Sequence, residues 1–107
     1  MVLFLDDQKD PIWYGLEPGA IYCIRSGKKA LQTAKKSGVP LETLYLDYDL
    51  GEGITGYTVL EKLIEEYELP PKEVVIISLN PVGIARIKAL CERYDIPYTI
   101  GKEKLPK

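Results

Sequence analysis

Short apolar runs alternate with longer amphipathic stretches along this chain. Val2–Leu5 is an apolar run of strand length that stops at two adjacent carboxylates, Asp6 and Asp7. Gln8–Gly19 follows, with two prolines and two glycines, and predicts a loop or a short turn of helix rather than a full crossover helix. Ala20–Arg25 is rich in β-formers and predicts a second strand. Ser26 then reads as an N-cap for a helix over about residues 27–37. Ala30, Leu31 and Ala34 share one face of it, and Gly38 stops it. Leu44–Leu46 predicts a third strand, ending in Asp47-Tyr48-Asp49-Leu50 and the flexible Gly51-Glu52-Gly53. Thr55 caps a second helix with Tyr57, Leu60, Leu63, Ile64 and Tyr67 at helical spacing, ended by Pro70-Pro71. Val74–Ile77 is the most clearly buried strand. Asn80 then reads as an N-cap with Pro81 at the first helical position, ahead of Ile84, Ile87, Leu90, Cys91 and Tyr94 on one face. Pro97–Ile100 predicts a last strand, followed by Gly101, Lys102 and a short charged tail.

Strands separated by helical crossovers predict an α/β fold with an open, mostly parallel, five-stranded sheet. Ligands of such sheets collect outside the carboxyl ends of the strands. Those ends carry Asp6 and Asp7, then Asp47 and Asp49, then Ser78 and Asn80, then Lys102.

Composition narrows the partners. The 107 residues suit one domain spanning the whole chain. A net charge of −2 and a pI near 5.2 do not favour nucleic acid or an anionic membrane as a general partner. Lys35 and Lys36 read as a solvated helix face rather than a nucleic-acid patch. No apolar run approaches the length of a membrane span and no signal peptide precedes Asp6, so a cytoplasmic protein is expected. Cys23 and Cys91 have no metal-type spacing and are expected as free, buried thiols. The chain has no histidine, so any chemistry falls to carboxylates, Lys, Ser or Tyr.

Asp6 and Asp7 admit two readings. They start a turn or cap a helix, or they repel each other in a partly buried place that a cation relieves. Carboxylate oxygens are hard ligands that suit Mg²⁺, which shares its sites with phosphate oxygens. A Ser, a Lys and the start of the helix after Asn80 are the groups to meet a phosphoryl anion there. A carboxylate is also a nucleophile able to form an acyl phosphate. Asp49 reads as a further ligand, as the donor of a backbone carbonyl, or as a plain loop acid. Asn80 reads first as a cap and second as a phosphate contact.

The pattern resembles the receiver domain of two-component response regulators, a flavodoxin-like fold. The matching residues are the acidic pair Asp6-Asp7, Asp47 with Gly56 nine residues later, Ser78, and Lys102. In that family these are the metal-binding acids, the phosphoacceptor, the switch hydroxyl and the phosphate-binding lysine. Lys102 matches less well, because Gly101 intervenes and proline does not directly follow it. A narrower resemblance rests on LFLDDQKDP, LDYDLGEGITGY and ISLNPVG. They look like the three signatures of the cyclic-phosphate processing receiver group, which is tied by inference to nucleic-acid end processing. Asp47, Asp49, Gly56, Ser78, Asn80, Pro81 and Gly83 match it, and Lys9 stands where the group has arginine. Tyr48 and Ile77 stand where the group has histidines.

A receiver carries helices on both faces of its sheet. Here the helices expected after strands one and five are reduced or absent, which leaves one face covered by little more than the Trp13-Tyr14 loop. A parallel sheet with an open face predicts association with a second copy or a partner protein. The resemblance implies a stand-alone receiver-like module with an Mg²⁺-binding acidic pocket for a phosphoryl or phosphate group. Asp6, Asp7, Asp47 and Asp49 are its candidate metal ligands, Asp47 its phosphoacceptor, and Ser78, Lys102, Asn80 and Lys9 its phosphate contacts. Its partner is then a phosphate-bearing small molecule or a phosphodonor protein. Metal-dependent processing of cyclic or terminal phosphates is the enzyme alternative, with nucleic acid met only through a phosphate end. A silent interaction scaffold is the third.

Overall fold

The computed structural model describes residues 1–104 apart from 18, 20 and 52. The expected start of the second strand at Ala20, the Glu52 part of the glycine loop and the end of the charged tail lie outside the described residues. The strands are β1 (Val2–Leu5), β2 (Tyr22–Ile24), β3 (Thr43–Leu46), β4 (Glu73–Ile76) and β5 (Tyr98–Ile100). The helices are α1 (Gly27–Ser37), α2 (Gly56–Glu61) and α3 (Pro81–Arg93), with a 3-10 turn at Pro11–Tyr14. The sheet runs β2-β1-β3-β4-β5 and every pairing is parallel, so the expected mostly parallel sheet is wholly so.

Local chemistry sets the element ends. Ser26 Oγ accepts from Lys29 N at the start of α1, and Gly38 closes that helix in the left-handed region at φ 65°. Asn80 Oδ1 accepts from Val82 N (3.0 Å) and Gly83 N (3.3 Å) at the start of α3. The second helix is not α-helical throughout. Beyond Glu61 it widens into a π-turn at Lys62–Glu66, where Tyr67 N reaches back to Lys62 O at 2.9 Å.

Strand alternation divides the core in two. Leu3, Leu5, Leu44, Leu46, Val74 and Ile76 point to one face, where they pack with Ala30, Leu31 and Ala34 of α1, Val59 and Leu60 of α2, and Ile87 and Leu90 of α3. All three helices therefore lie on that face. The opposite face holds a smaller cluster of Phe4, Tyr14 and Ile77, with Trp13, Leu16, Tyr45 and Val75 half-buried around it. The 3-10 turn, bound at Trp13 O by Lys104 N, is the main cover on that side. Cys23 corrects one expectation. It is exposed, because β2 is an edge strand and Cys23 pairs with Phe4 on the face without helices; Cys91 is buried as expected, and both thiols are free.

Candidate metal and phosphate site

The sheet order reverses between β1 and β3: the chain leaves β1 outward to β2, then returns on β1's other side. The crevice beyond the carboxyl ends of β1 and β3 is the switch point where open α/β sheets bind ligands. The ladder runs past these strand ends and holds the residues that follow. Asp47 N donates to Leu5 O at 3.0 Å, Asp6 N to Ile24 O at 3.3 Å, and Ile77 N to Leu46 O at 3.0 Å. The acids thus sit on a braced backbone.

One carboxylate oxygen from each of Asp6, Asp7 and Asp47 lies within 4.8 Å of the others. Asp6 is 1% exposed and Asp47 7%. Asp6 Oδ1 accepts from Gln8 N (2.8 Å) and Lys9 N (2.9 Å), so Asp6 does organise a turn. Its Oδ2, however, is buried with no hydrogen-bond donor among the described residues. Asp47 Oδ1 accepts from Tyr48 N at 2.8 Å. Burial raises the Asp47 carboxyl to about 6, helped by the charges of Asp6 and Asp7 and opposed by the Lys9 ammonium and the Tyr48 N–H. A buried oxygen without a donor, beside two more acids, is costly in water-free surroundings unless a cation meets it. The all-oxygen donor set fits Mg²⁺.

Two close approaches build the crevice. A Cβ on Gly56 would lie 1.9 Å from Asp47 O, so glycine lets the start of α2 press against the Asp47 backbone, where Gly56 N donates to Tyr48 O at 2.8 Å. A Cβ on Gly83 would lie 2.3 Å from the Tyr48 ring, so Tyr48 packs on α3 and its hydroxyl accepts from Arg86 at 2.9 Å.

The other candidates divide. Ser78 is buried and its Oγ accepts from Asn80 N at 3.1 Å. Asp49 is exposed and lies outside the trio. It lines the crevice, and its Oδ2 accepts from Asn80 Nδ2 at 3.3 Å. Asn80 is thus engaged twice, as a cap and as an anchor for Asp49. Lys9 lines the crevice beside Asp6, Asp7 and Asp47. Lys102 is exposed and lines a different pocket, with Tyr14, Tyr45, Thr99 and Lys104. Two contributors had no signal in the sequence. Arg25, at the end of β2, donates to Asp6 O (3.2 Å), to Lys9 O and to Asp10 Oδ1, strapping the acidic loop to the sheet. Burial pushes the Tyr14 phenol up to about 12, with smaller contributions from the charges of Glu103, Asp6 and Asp47.

The family model of the cyclic-phosphate processing receiver domain matches residues 1–93. The chain belongs to that family. Of the motif residues of this receiver domain, the three acids, Asp49 and Asn80 line the crevice, while Gly56 packs on the Asp47 backbone and Gly83 on the Tyr48 ring behind it. Among solved structures, a fusion protein carrying a yeast Spc42 trimeric coiled-coil segment is similar at 15% identity and a TM-score of 0.63. That match covers 92% of this chain, and the chain spans 65% of the other; at this identity it speaks for the fold alone. No curated protein matches. Among the described residues, no helix is long and apolar enough to cross a membrane.

Proposed function

We propose that this receiver domain is a signalling or regulatory module whose acidic crevice binds one Mg²⁺ and, on it, a phosphoryl or phosphate group. The observation that carries this reading is the buried Asp6 Oδ2, which has no hydrogen-bond donor among the described residues although two further carboxylates lie beside it. Asp6, Asp7 and Asp47 are the residues to hold the ion, which neutralises the acids and draws in phosphate oxygens when bound. The Ser78 hydroxyl accepts from Asn80 N and keeps its own proton to donate to a phosphate oxygen. With a phosphodonor, the free oxygen of Asp47 attacks phosphorus, the P–O or P–N bond to the donor breaks, and the leaving group departs with that electron pair, leaving an aspartyl phosphate. Asp49 lines the crevice outside the trio, where Asn80 Nδ2 holds its carboxylate.

Cleavage of a cyclic phosphate is the second reading, favoured by the family. It lacks a side-chain base at two positions: Tyr48 is turned onto Gly83 and Arg86, and Ile77 is buried in the smaller core cluster. Scaffold use without metal is the third. Mg²⁺ with beryllofluoride is expected to raise the melting temperature of the wild type and leave that of Asp47→Asn unmoved; no shift in the wild type leaves the scaffold. Monoester released from a 2′,3′-cyclic nucleotide, and lost in Asp7→Asn, selects the enzyme. The thinly covered sheet face supports self-association, with a second copy as its occupant.

A further inference from the structure

Lys9 is built into the crevice rather than draped over it. Its N–H is fixed by Asp6 Oδ1, its carbonyl accepts from Arg25, and its side chain is only 14% exposed. The ammonium donates to Ile77 O at 2.7 Å, the carbonyl just ahead of Ser78. It stands 3.7 Å from Asp6 Oδ2, which is close enough for charge attraction and too far for a hydrogen bond. That oxygen is therefore ion-paired with an ammonium but not hydrogen-bonded to it. An ammonium has three protons to donate, and Ile77 O takes one. Lys102, the lysine that follows β5, lines a cavity of about 340 Å³ with Tyr14, Tyr45 and Thr99, apart from the residues that line the acidic crevice.

We propose that Lys9, and not Lys102, is the phosphate-binding cation of the crevice, and that it trades Asp6 Oδ2 for phosphate oxygens when a divalent ion occupies the acids. The inference rests on the metal-and-phosphate reading above. Electrostatics drives the trade. Held by the three acids, a divalent ion would supply positive charge that the Lys9 ammonium beside Asp6 would avoid, and the ammonium would then find its counter-charge on phosphate oxygens. Because the same nitrogen holds Ile77 O, the trade pulls on the backbone directly before Ser78, so occupancy is felt at the start of α3.

The trade predicts opposite effects on the two ligands, which a merely structural lysine does not produce. Mg²⁺ titration, then beryllofluoride titration at saturating Mg²⁺, is followed by tyrosine and tryptophan fluorescence and by melting temperature in the wild type, K9M, K9R and K102M. K9M is expected to bind Mg²⁺ a few-fold more tightly and beryllofluoride about ten-fold or more weakly, the loss of one charge-assisted contact. K9R is expected to recover part of the beryllofluoride affinity, and K102M to match the wild type in both titrations. The inference is overturned if K9M keeps wild-type beryllofluoride affinity or weakens both ligands alike, or if K102M loses beryllofluoride while K9R keeps it. That last result needs no folded K9M. A wild type that answers neither ligand fails the underlying reading instead, and is told apart because it shows no titration to compare.

Discussion

At the scale of the residue, the site is a balance of repelling acids. The folded Asp47 carboxyl titrates near 6 against an ordinary value of 3.8. Between those values the folded chain binds more protons than the unfolded one, so stability falls as pH rises through about 4 to 6. Below the window both states are protonated and nothing is lost; above it the full cost of the buried charge is felt, on the order of 3 kcal/mol. Metal-free protein is therefore expected to melt higher at pH 4.5 than at pH 7, as far as Asp47 governs it, and saturating Mg²⁺ to flatten that slope; melting curves across pH check both. Asp47→Asn is expected to stabilise the metal-free protein at pH 7 by roughly 1–3 kcal/mol in denaturant titrations. Gly56 has the opposite sensitivity. Alanine there puts a methyl 1.9 Å from Asp47 O, and we expect a loss of about 2–3 kcal/mol together with weaker Mg²⁺ binding. The acids and Gly56 were legible as letters in a motif. Their convergence was not, because the relevant separations run between strands far apart in sequence.

At the scale of the element, periodicity read best where one face is buried and caps are strong. The α1 bounds match those expected, Ser26 to Gly38 included, because a side-chain cap and a left-handed glycine end a helix by local rules. The widening of α2 at Lys62–Glu66 carries no such local signature: no cap or breaker residue marks it within the apolar pattern, and Leu69 N closes on Leu63 O just beyond it. Asn80 illustrates a residue with one sequence reading and two structural jobs. Its cap was readable three residues away; its bond to Asp49, 31 positions away along the chain, was not. Asn80→Ala is expected to cost about 1 kcal/mol from the cap. It is also expected to free Asp49, seen as broadened backbone resonances across residues 48–55. The two lysines divide in the same way: Lys9 and Lys102 look alike as letters, and their places in the fold differ.

At the scale of the whole molecule, the sheet has one thick side and one thin one. Three helices cover the Leu3–Leu5 face, and the other carries the small Phe4–Tyr14–Ile77 cluster under a 3-10 turn. Parallel sheets are ordinarily covered on both faces. Thr99, exposed on the edge strand β5 in register with Val75, is a position to test what lies against the thin side. Thr99→Arg is expected to leave the melting temperature of dilute protein within the change of about 0.5 kcal/mol typical of surface substitutions. At micromolar concentration it is expected to move sedimentation from a heavier species to the monomer. The thin cover after β1 was legible from the Gln8–Gly19 stretch, since two prolines and two glycines spread over twelve residues leave no room for a long helix. Strand and helix order, and with them the α/β class, likewise follow from the letters, because burial periodicity and capping act within a few residues. The wholly parallel pairing, the exposed Cys23, the strap from Arg25 and the orphaned oxygen of Asp6 depend on which strands become neighbours, and that follows from the joint burial of β1, β3 and β4. Position along the chain could identify acids able to hold a cation. Only because β3 pairs on the side of β1 opposite β2 do those acids share one crevice, which Lys9 lines and Lys102 does not.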